Sequence, residues 1–458
     1  MLDALIPRDN PGTIPIHAIT KAAWPAWLRS RPAAVKNWLT TTGFSAEHGK
    51  VALVPAKDGK LGEVVIGLGD KHELWDFAAP VGKVPAGRYR IATALAPAIA
   101  SDAALAWALA TYSFDRYKKR TKKTPVLVWP KAADRAAVTR TVEALCTGRD
   151  LVNTPAGDLG PAELAQAAIA LAQRFDAEHS VIVGDGLLAN NYPTIHAVGR
   201  AATRAPRLFD MRWGDARAPK LTLVGKGVVF DSGGLDLKTS SGMKLMKKDM
   251  GGAASVLALA HMIMDAGLPV RLRLMIPMVE NAVSGNAYRP GDVIRTRKGL
   301  TVEIGNTDAE GRLILCDALA EAETEDPDLL IDFATLTGAA RVALGTELPA
   351  LFSTDTAVQD AIVAAGLRTN DPLWPLPMFS AYRRHLDSPI ADLNNVGSVS
   401  EGGAITAALF LREFVGKQRR FVHIDTMAWN VSSRPGRPQG GEIFGARALF
   451  AMLAERYR

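Results

Sequence analysis

The chain has 458 residues, 48% of them hydrophobic and 22% charged, with 54 Lys and Arg against 47 Asp and Glu for a formal net charge of +7. This is the composition of a soluble globular enzyme with core enough for two or three domains, and its modest positive excess permits nucleic-acid contact without supporting it. Two cysteines, Cys146 and Cys316, exclude a disulfide scaffold and a CxxC zinc ribbon, and no apolar run approaches the roughly 20 residues of a membrane helix.

The N-terminus lacks the basic start and apolar stretch of a signal peptide, so a reducing, cytoplasmic location is expected. Residues 1–130 read as one α/β unit. Val51–Pro55 and Val64–Leu68 are expected strands, Tyr89–Ala92 is a third candidate, and Ala103–Tyr112 is an expected helix. The basic run at 117–123 reads as a solvated loop before Pro125. Ala132–Cys146 carries Ala136, Val138, Val142 and Leu145 at helical spacing, and segment 131–150 is read as a linker helix. From residue 151 to 458 strands and helices alternate. Leu221–Gly225, Val270–Met278 and Leu329–Ala334 are strands; Gly252–Ala266 and Leu313–Glu323 are helices. Such alternation predicts an α/β domain whose mixed, mostly parallel sheet is covered by helices on both faces.

Ligands in such sheets sit at the carboxyl ends of strands. Two charged, glycine-rich clusters follow strand-like segments there. One runs from Lys226 through Asp231 to Lys238 and on to Asp249; the other is Asn306-Thr307-Asp308-Ala309-Glu310-Gly311-Arg312-Leu313. Converging carboxylates repel, and burial raises their pKa values, so divalent cations are the simplest neutralisers. Oxygen donors suit Mg²⁺, Mn²⁺ or Zn²⁺. Asp308 and Glu310, two apart, would point the same way from an extended segment. Asp249 precedes the Gly252 helix, whose N-terminus favours negative charge. A lysine beside cations is either deprotonated into a ligand or stays charged further out to polarise a carbonyl; Lys226 and Lys238 fit these two roles. Arg312 offers a planar fork for an anion. Taken singly, each of these residues has a bland reading as a helix-start acid, a surface lysine or a core methionine.

Taken together, they resemble the leucyl aminopeptidase family of dinuclear metallopeptidases (M17). The resemblance is carried by the 306–313 segment, by Val224–Gly234, by Met246-Lys247-Lys248-Asp249-Met250-Gly251-Gly252, by Asp332–Ala339, and by segments at 391–397, 402–407 and 423–425. Leu151–Pro155 matches the start of its catalytic domain. The resemblance implies two divalent ions, Zn²⁺ or Mn²⁺, held by Lys226, Asp231, Asp249, Asp308 and Glu310, with Asp231 and Glu310 bridging. It implies Lys238 and Arg312 as the catalytic pair, with a bicarbonate ion at Arg312. Met246, Asn306, Thr335, Leu336 and Gly338 would contact substrate. The implied reaction releases N-terminal residues of peptides, with a leucine-type preference, by attack of a metal-bridging water, and the implied assembly is a homohexamer. The chain departs from the pattern at Lys248, where a small residue is usual, and at Thr426–Trp429, where bulk would narrow the pocket for the first side chain. His423, within an apolar strand-like run, is read as structural.

Overall fold

The computed structural model describes residues 2–119, 121 and 123–458; Arg120 and Lys122 of the basic run lie outside the described residues. Two compact units emerge, Met1–Cys146 with Ser432–Gln439, and Thr147–Val431 with Gly440–Arg458. No helix among the described residues is long and apolar enough to cross a membrane.

The first unit is built on six strands: β1 (Leu5–Ile6), β2 (Ile14–Ile19), β3 (Val51–Pro55), β4 (Leu61–Gly67), β5 (Arg88–Ile91) and β6 (Val126–Val128), in the order β1-β6-β5-β2-β4-β3. Only β3 runs antiparallel to its neighbour. Val64, Val65 and Ile66 are fully buried, as a continuous apolar run in a sheet covered on both faces requires. The predicted helix at Ala103 starts earlier, at Pro97, because a proline in the first turn forfeits no hydrogen bond. The helix expected at Ala132–Cys146 spans Arg135–Asn153, and the division between the units falls within it.

The second unit carries β7 (Glu178–Val183), β8 (Arg207–Trp213), β9 (Lys220–Gly225), β10 (Gly227–Asp231), β11 (Arg271–Asn281), β12 (Val293–Arg295), β13 (Thr301–Glu303), β14 (Leu329–Ala334), β15 (Ala350–Ser353), β16 (Trp374–Pro375), β17 (Leu393–Asn394) and β18 (Phe421–Asp425). The main sheet runs β16-β15-β18-β14-β9-β11-β8-β7, with β10 also paired to β11. Its centre, β18-β14-β9-β11, is parallel, while β8 and β15 pair antiparallel to it at either side. This is the mixed sheet with flanking helices that the alternation predicts.

One helix shows how the sheet face is covered. Gly251–Asp265 is buried along nearly its whole length, and Val256, Leu259 and Ile263 each contribute about 1.5–3 kcal/mol of burial. Its small N-terminal residues let it lie directly on the strands. A Cβ at Gly252 would stand 2.2 Å from the Phe333 carbonyl oxygen. The helix ends at Ala266, followed by Gly267 in the left-handed region (φ +62°).

Candidate metal centre

The parallel strands deliver the site at their carboxyl ends. Lys226 follows β9, Asp231 ends β10, Asn281 ends β11, Thr335 follows β14 and Asp425 ends β18. Lys226 is pinned through its backbone: its N–H donates to Phe333 O at 3.0 Å and its carbonyl accepts from Ala253 N at 2.8 Å. Asp249 lies in a 3₁₀ turn, Met246–Met250, that leads directly into the Gly251 helix.

Asp308 and Glu310 reach the same place by a different route from the one expected. The segment is not extended. The Asn306 side chain accepts the Asp308 N–H at 2.6 Å and turns the chain, so that Glu310 becomes the first residue of the helix Glu310–Glu323. Thr307 stitches this loop to the one after β10. Its N–H donates to Asp236 Oδ2 at 2.7 Å, its hydroxyl to Gly233 O at 2.6 Å, and its Oγ1 accepts the Asp236 N–H at 2.8 Å. Two clusters some 70 residues apart in sequence thereby become one.

Lys226 Nζ stands 2.8 Å from both Asp249 Oδ2 and Glu310 Oε1, and donates to Thr335 O at 3.0 Å. Burial works against its ammonium, but Asp249, Glu310 and Asp231 outweigh burial and hold its pKa above the usual amine range. Lys238 Nζ lies 2.8 Å from Asp231 Oδ2 and also pairs with Asp308. Burial opposes its charge too, yet Asp231 and Asp308 raise its pKa. Asp231 Oδ1 accepts from Gly233 N at 2.9 Å and Asn281 Nδ2 at 2.8 Å. Asp249 Oδ1 accepts the Thr335 hydroxyl at 2.7 Å; burial would raise this carboxyl, but Lys226 and Lys248 hold it low. Burial first, and Asp231 next, push Asp308 up to about 6 and Glu310 well above the ordinary carboxylate range, despite their lysines. Arg312 donates to Asn395 O at 2.5 Å, and burial lowers it to about 10, so it stays cationic at neutral pH.

The donor set fits hard or borderline divalent cations. One oxygen each of Asp231, Asp308 and Glu310 lies within 4.8 Å of the others, and crowded carboxylates with raised pKa values are relieved by positive charge. Lys226 and Asp249 adjoin this triad.

A cavity of about 630 Å³ opens over the triad. It is lined by Lys226, Asp231, Lys238, Met246, Asp249, Asp308, Glu310, Arg312, Thr335, Leu336 and Gly338. Asn306 is not among the lining residues: besides turning the chain, it accepts the Asn395 amide on its carbonyl at 2.8 Å. Lys248, Arg341, Asp425 and Met427 also line the cavity. Trp429 does not; it pairs with Gly441 and its ring lies 5.5 Å from Lys247 Nζ. Burial, opposed by Asp249 and reinforced by Lys226 and Arg341, lowers the pKa of Lys248. His423 is fully buried, with Nδ1 2.7 Å from Asp332 Oδ1 and its ring stacked on Phe352, away from the cavity lining.

Sequence reasoning passes over Asn281 and Asp236 and gives Thr307, inside the second cluster, no role of its own; Asn281 orients Asp231, and Asp236 and Thr307 join the loops. Asn281 and Asp236 carried no signal, since a polar residue at a strand end or in a loop is ordinary. Asp425 falls in the 423–425 segment, to which the sequence assigns no role. It accepts Leu336 N at 2.9 Å, Thr337 N at 3.2 Å and the Thr337 hydroxyl at 2.6 Å, shaping the loop after β14.

Comparison with known proteins places this geometry. Residues 146–450 match the cytosol aminopeptidase family catalytic domain, and residues 14–130 the M17 aminopeptidase N-terminal domain. A probable cytosol aminopeptidase of Streptomyces avermitilis is 38% identical over 454 residues, covering 91% of this chain and 88% of that one. The crystal structure of cytosol aminopeptidase from Coxiella burnetii is similar over 100% of both chains, with a TM-score of 0.93 and 47% identity. The bottromycin maturation enzyme BotP, solved in complex with Mn, has a TM-score of 0.87 and 35% identity over 97% of this chain and 99% of that one.

Proposed function

The chain belongs to the cytosol aminopeptidase family and is a metal-dependent aminopeptidase, and from that premise we propose that it binds two divalent ions and releases leucine-type N-terminal residues from peptides. The observation that carries this reading is the meeting of Asp231, Asp308 and Glu310, flanked by Asp249 and Lys226, at the floor of a cavity large enough for a peptide end.

Zn²⁺ or Mn²⁺ held by Lys226, Asp231, Asp249, Asp308 and Glu310 supplies Lewis acidity, a docking point for the free amine, and water of lowered pKa. The chain's own residues do the rest. Asp231, held by Gly233 N and Asn281, keeps a fixed orientation toward Asp308 and Glu310. Lys226 Nζ reaches both Asp249 and Glu310, so the same atom is placed to become a ligand once other positive charge compensates the carboxylates. Lys238 keeps its proton and offers an ammonium at the cavity wall, where negative charge develops on the scissile carbonyl oxygen. Arg312 presents its remaining guanidinium N–H groups to an anion such as bicarbonate, which serves as general base. Thr335, Gly338 and Met246 receive the first side chain, with Leu336 beside them; for Asn306 we keep a supporting part, through its loop.

Residues 151–458 form the catalytic domain in this reading, 1–130 the N-terminal domain and 131–150 the linking helix. The matched segments 14–130 and 146–450 support that division. A cytoplasmic homohexamer completes the proposal; the names of the relatives support the compartment. The test is hydrolysis of leucine amide by metal-stripped and Mn²⁺- or Zn²⁺-reconstituted protein, with a phosphomonoester in parallel. Reconstituted protein is expected to cleave the amide alone. Cleavage of the phosphomonoester instead would replace this reading with a metal phosphoesterase.

A further inference from the structure

The cations lining the cavity are not equally matched. Lys226 and Lys238 each sit against two carboxylates. Lys248 lines the same cavity and is 95% buried (5% exposed), yet among the described residues no carboxylate comes within ion-pairing reach of it. Arg341, exposed on the helix Gly338–Leu344, adds a second cation to the cavity lining; among the described residues its one side-chain hydrogen bond is to Met427 Sδ, at 3.7 Å. Of the acids that act on Lys248, Asp249 is paired with Lys226 and accepts the Thr335 hydroxyl, and Asp425 has its oxygens committed to Leu336 N, Thr337 N and the Thr337 hydroxyl.

A buried ammonium with no carboxylate in ion-pairing contact is costly, and it persists most readily where a ligand supplies that contact. The position of Lys248 says which ligand. It belongs to the 3₁₀ turn that begins with Met246, and it lines the same cavity as Thr335, Gly338 and Met427. On the reading above, Met246, Thr335 and Gly338 receive the first side chain of the substrate, and Lys248 stands two residues beyond Met246 in the same turn.

We propose that Lys248, assisted by Arg341, selects substrates with an acidic first residue, so that glutamyl peptides are taken in addition to apolar ones. The apolar walls, Met246 and Met427, pack the methylenes of a glutamate, while its carboxylate meets the ammonium. This rests on the aminopeptidase reading and adds a specificity determinant to it.

The experiment compares α-glutamyl, glutaminyl and leucyl p-nitroanilides on the metal-loaded enzyme, in wild type, Lys248→Met and Arg341→Gln. Glutamyl and glutaminyl groups differ by the charge and little else, so the ratio of their kcat/KM values isolates it. Any general loss of activity or of folded enzyme cancels in that ratio. Wild type is expected to favour glutamyl. Lys248→Met should cut the ratio about tenfold or more, mainly through the KM of the glutamyl substrate, and Arg341→Gln by a smaller factor. A wild type with no preference for glutamyl over glutaminyl overturns the proposal, as does a ratio that survives both substitutions. If Lys248→Met instead lowers the preference for Leu-Gly over Leu-Gly-amide and leaves the first ratio intact, the ammonium reads the far carboxylate of a dipeptide and the proposal is likewise overturned. Failure of the leucyl substrate as well, in wild type, would overturn the aminopeptidase reading itself.

Discussion

Gly311 lies against the side chain of Lys226. A Cβ built on it would stand 2.7 Å from Lys226 Cε and 2.8 Å from Nζ, inside any real carbon contact. Lys226 cannot retreat, because its backbone is tied to Phe333 and Ala253 and its Nζ to Thr335 O. The glycine in the second helical position after Asp308-Ala309 therefore exists to let a lysine pass. Gly311→Ala is expected to displace the Lys226 amine, lower metal content and nearly abolish turnover, while costing about 1–3 kcal/mol of stability from overpacking. Metal analysis showing full occupancy in a folded, active variant would contradict this.

Lys238 and Arg312 are expected to matter for turnover more than for metal. Lys238→Ala removes a cation from Asp231 and Asp308, and those carboxylates are then freer to hold metal. Turnover should fall about 100-fold or more, as for loss of a group that stabilises transition-state charge, with metal stoichiometry unchanged. Arg312→Ala should behave in the same way. Elemental analysis beside steady-state kinetics separates the two effects; unchanged kcat in either variant removes its assigned role.

Asp308 has a more exposed side chain than Asp231 or Glu310, and it faces both. Asp308→Ala should strip at least one ion per subunit, because a three-carboxylate cluster becomes a pair. Two ions per subunit after dialysis would count against the proposed ligand set.

Acid stability should depend on a contact far from the site. The Tyr457 hydroxyl donates to Asp328 Oδ2 at 2.7 Å, and Arg456 and Arg420 lie within 3.1 Å of the same carboxylate. Burial would raise the Asp328 carboxyl, but these partners win and hold it below its ordinary value. A carboxyl depressed in the folded state contributes stability above its unfolded pKa, near 4, and that stability is lost as pH falls through the folded value. Tyr457→Phe should therefore cost about 1 kcal/mol at pH 7, and the difference from wild type should shrink below about pH 4. Urea denaturation at the two pH values checks it; a gap that widens in acid would reverse the sign.

Much of the second unit was legible in the sequence because its strands are continuous apolar runs. β9 and Leu329–Ala334 stand where the pattern puts them, since no alternative burial suits such segments. Boundaries moved where local chemistry intervened. The helix expected from Leu313 begins at Glu310, because the Asn306 side chain closes the turn before it and releases the chain into helix three residues early. The first unit was legible in part: β3 matched, β4 started three residues sooner, and the strands at Leu5 and Ile14 went unread, being short or interrupted by proline.

By itself the sequence determined the chemical inventory: which carboxylates, lysines and arginine sit on glycine-rich loops after buried strands, and a family resemblance specific enough to order them. Only the tertiary structure decided that the two clusters meet, through Thr307 and Asp236, and that Lys226 and Lys238 are each matched by acids whereas Lys248 is not. The physical reason is range. Strand and helix patterns follow from burial along neighbouring residues, but the pairing of charges depends on distances of a few ångströms across loops that are remote in the chain.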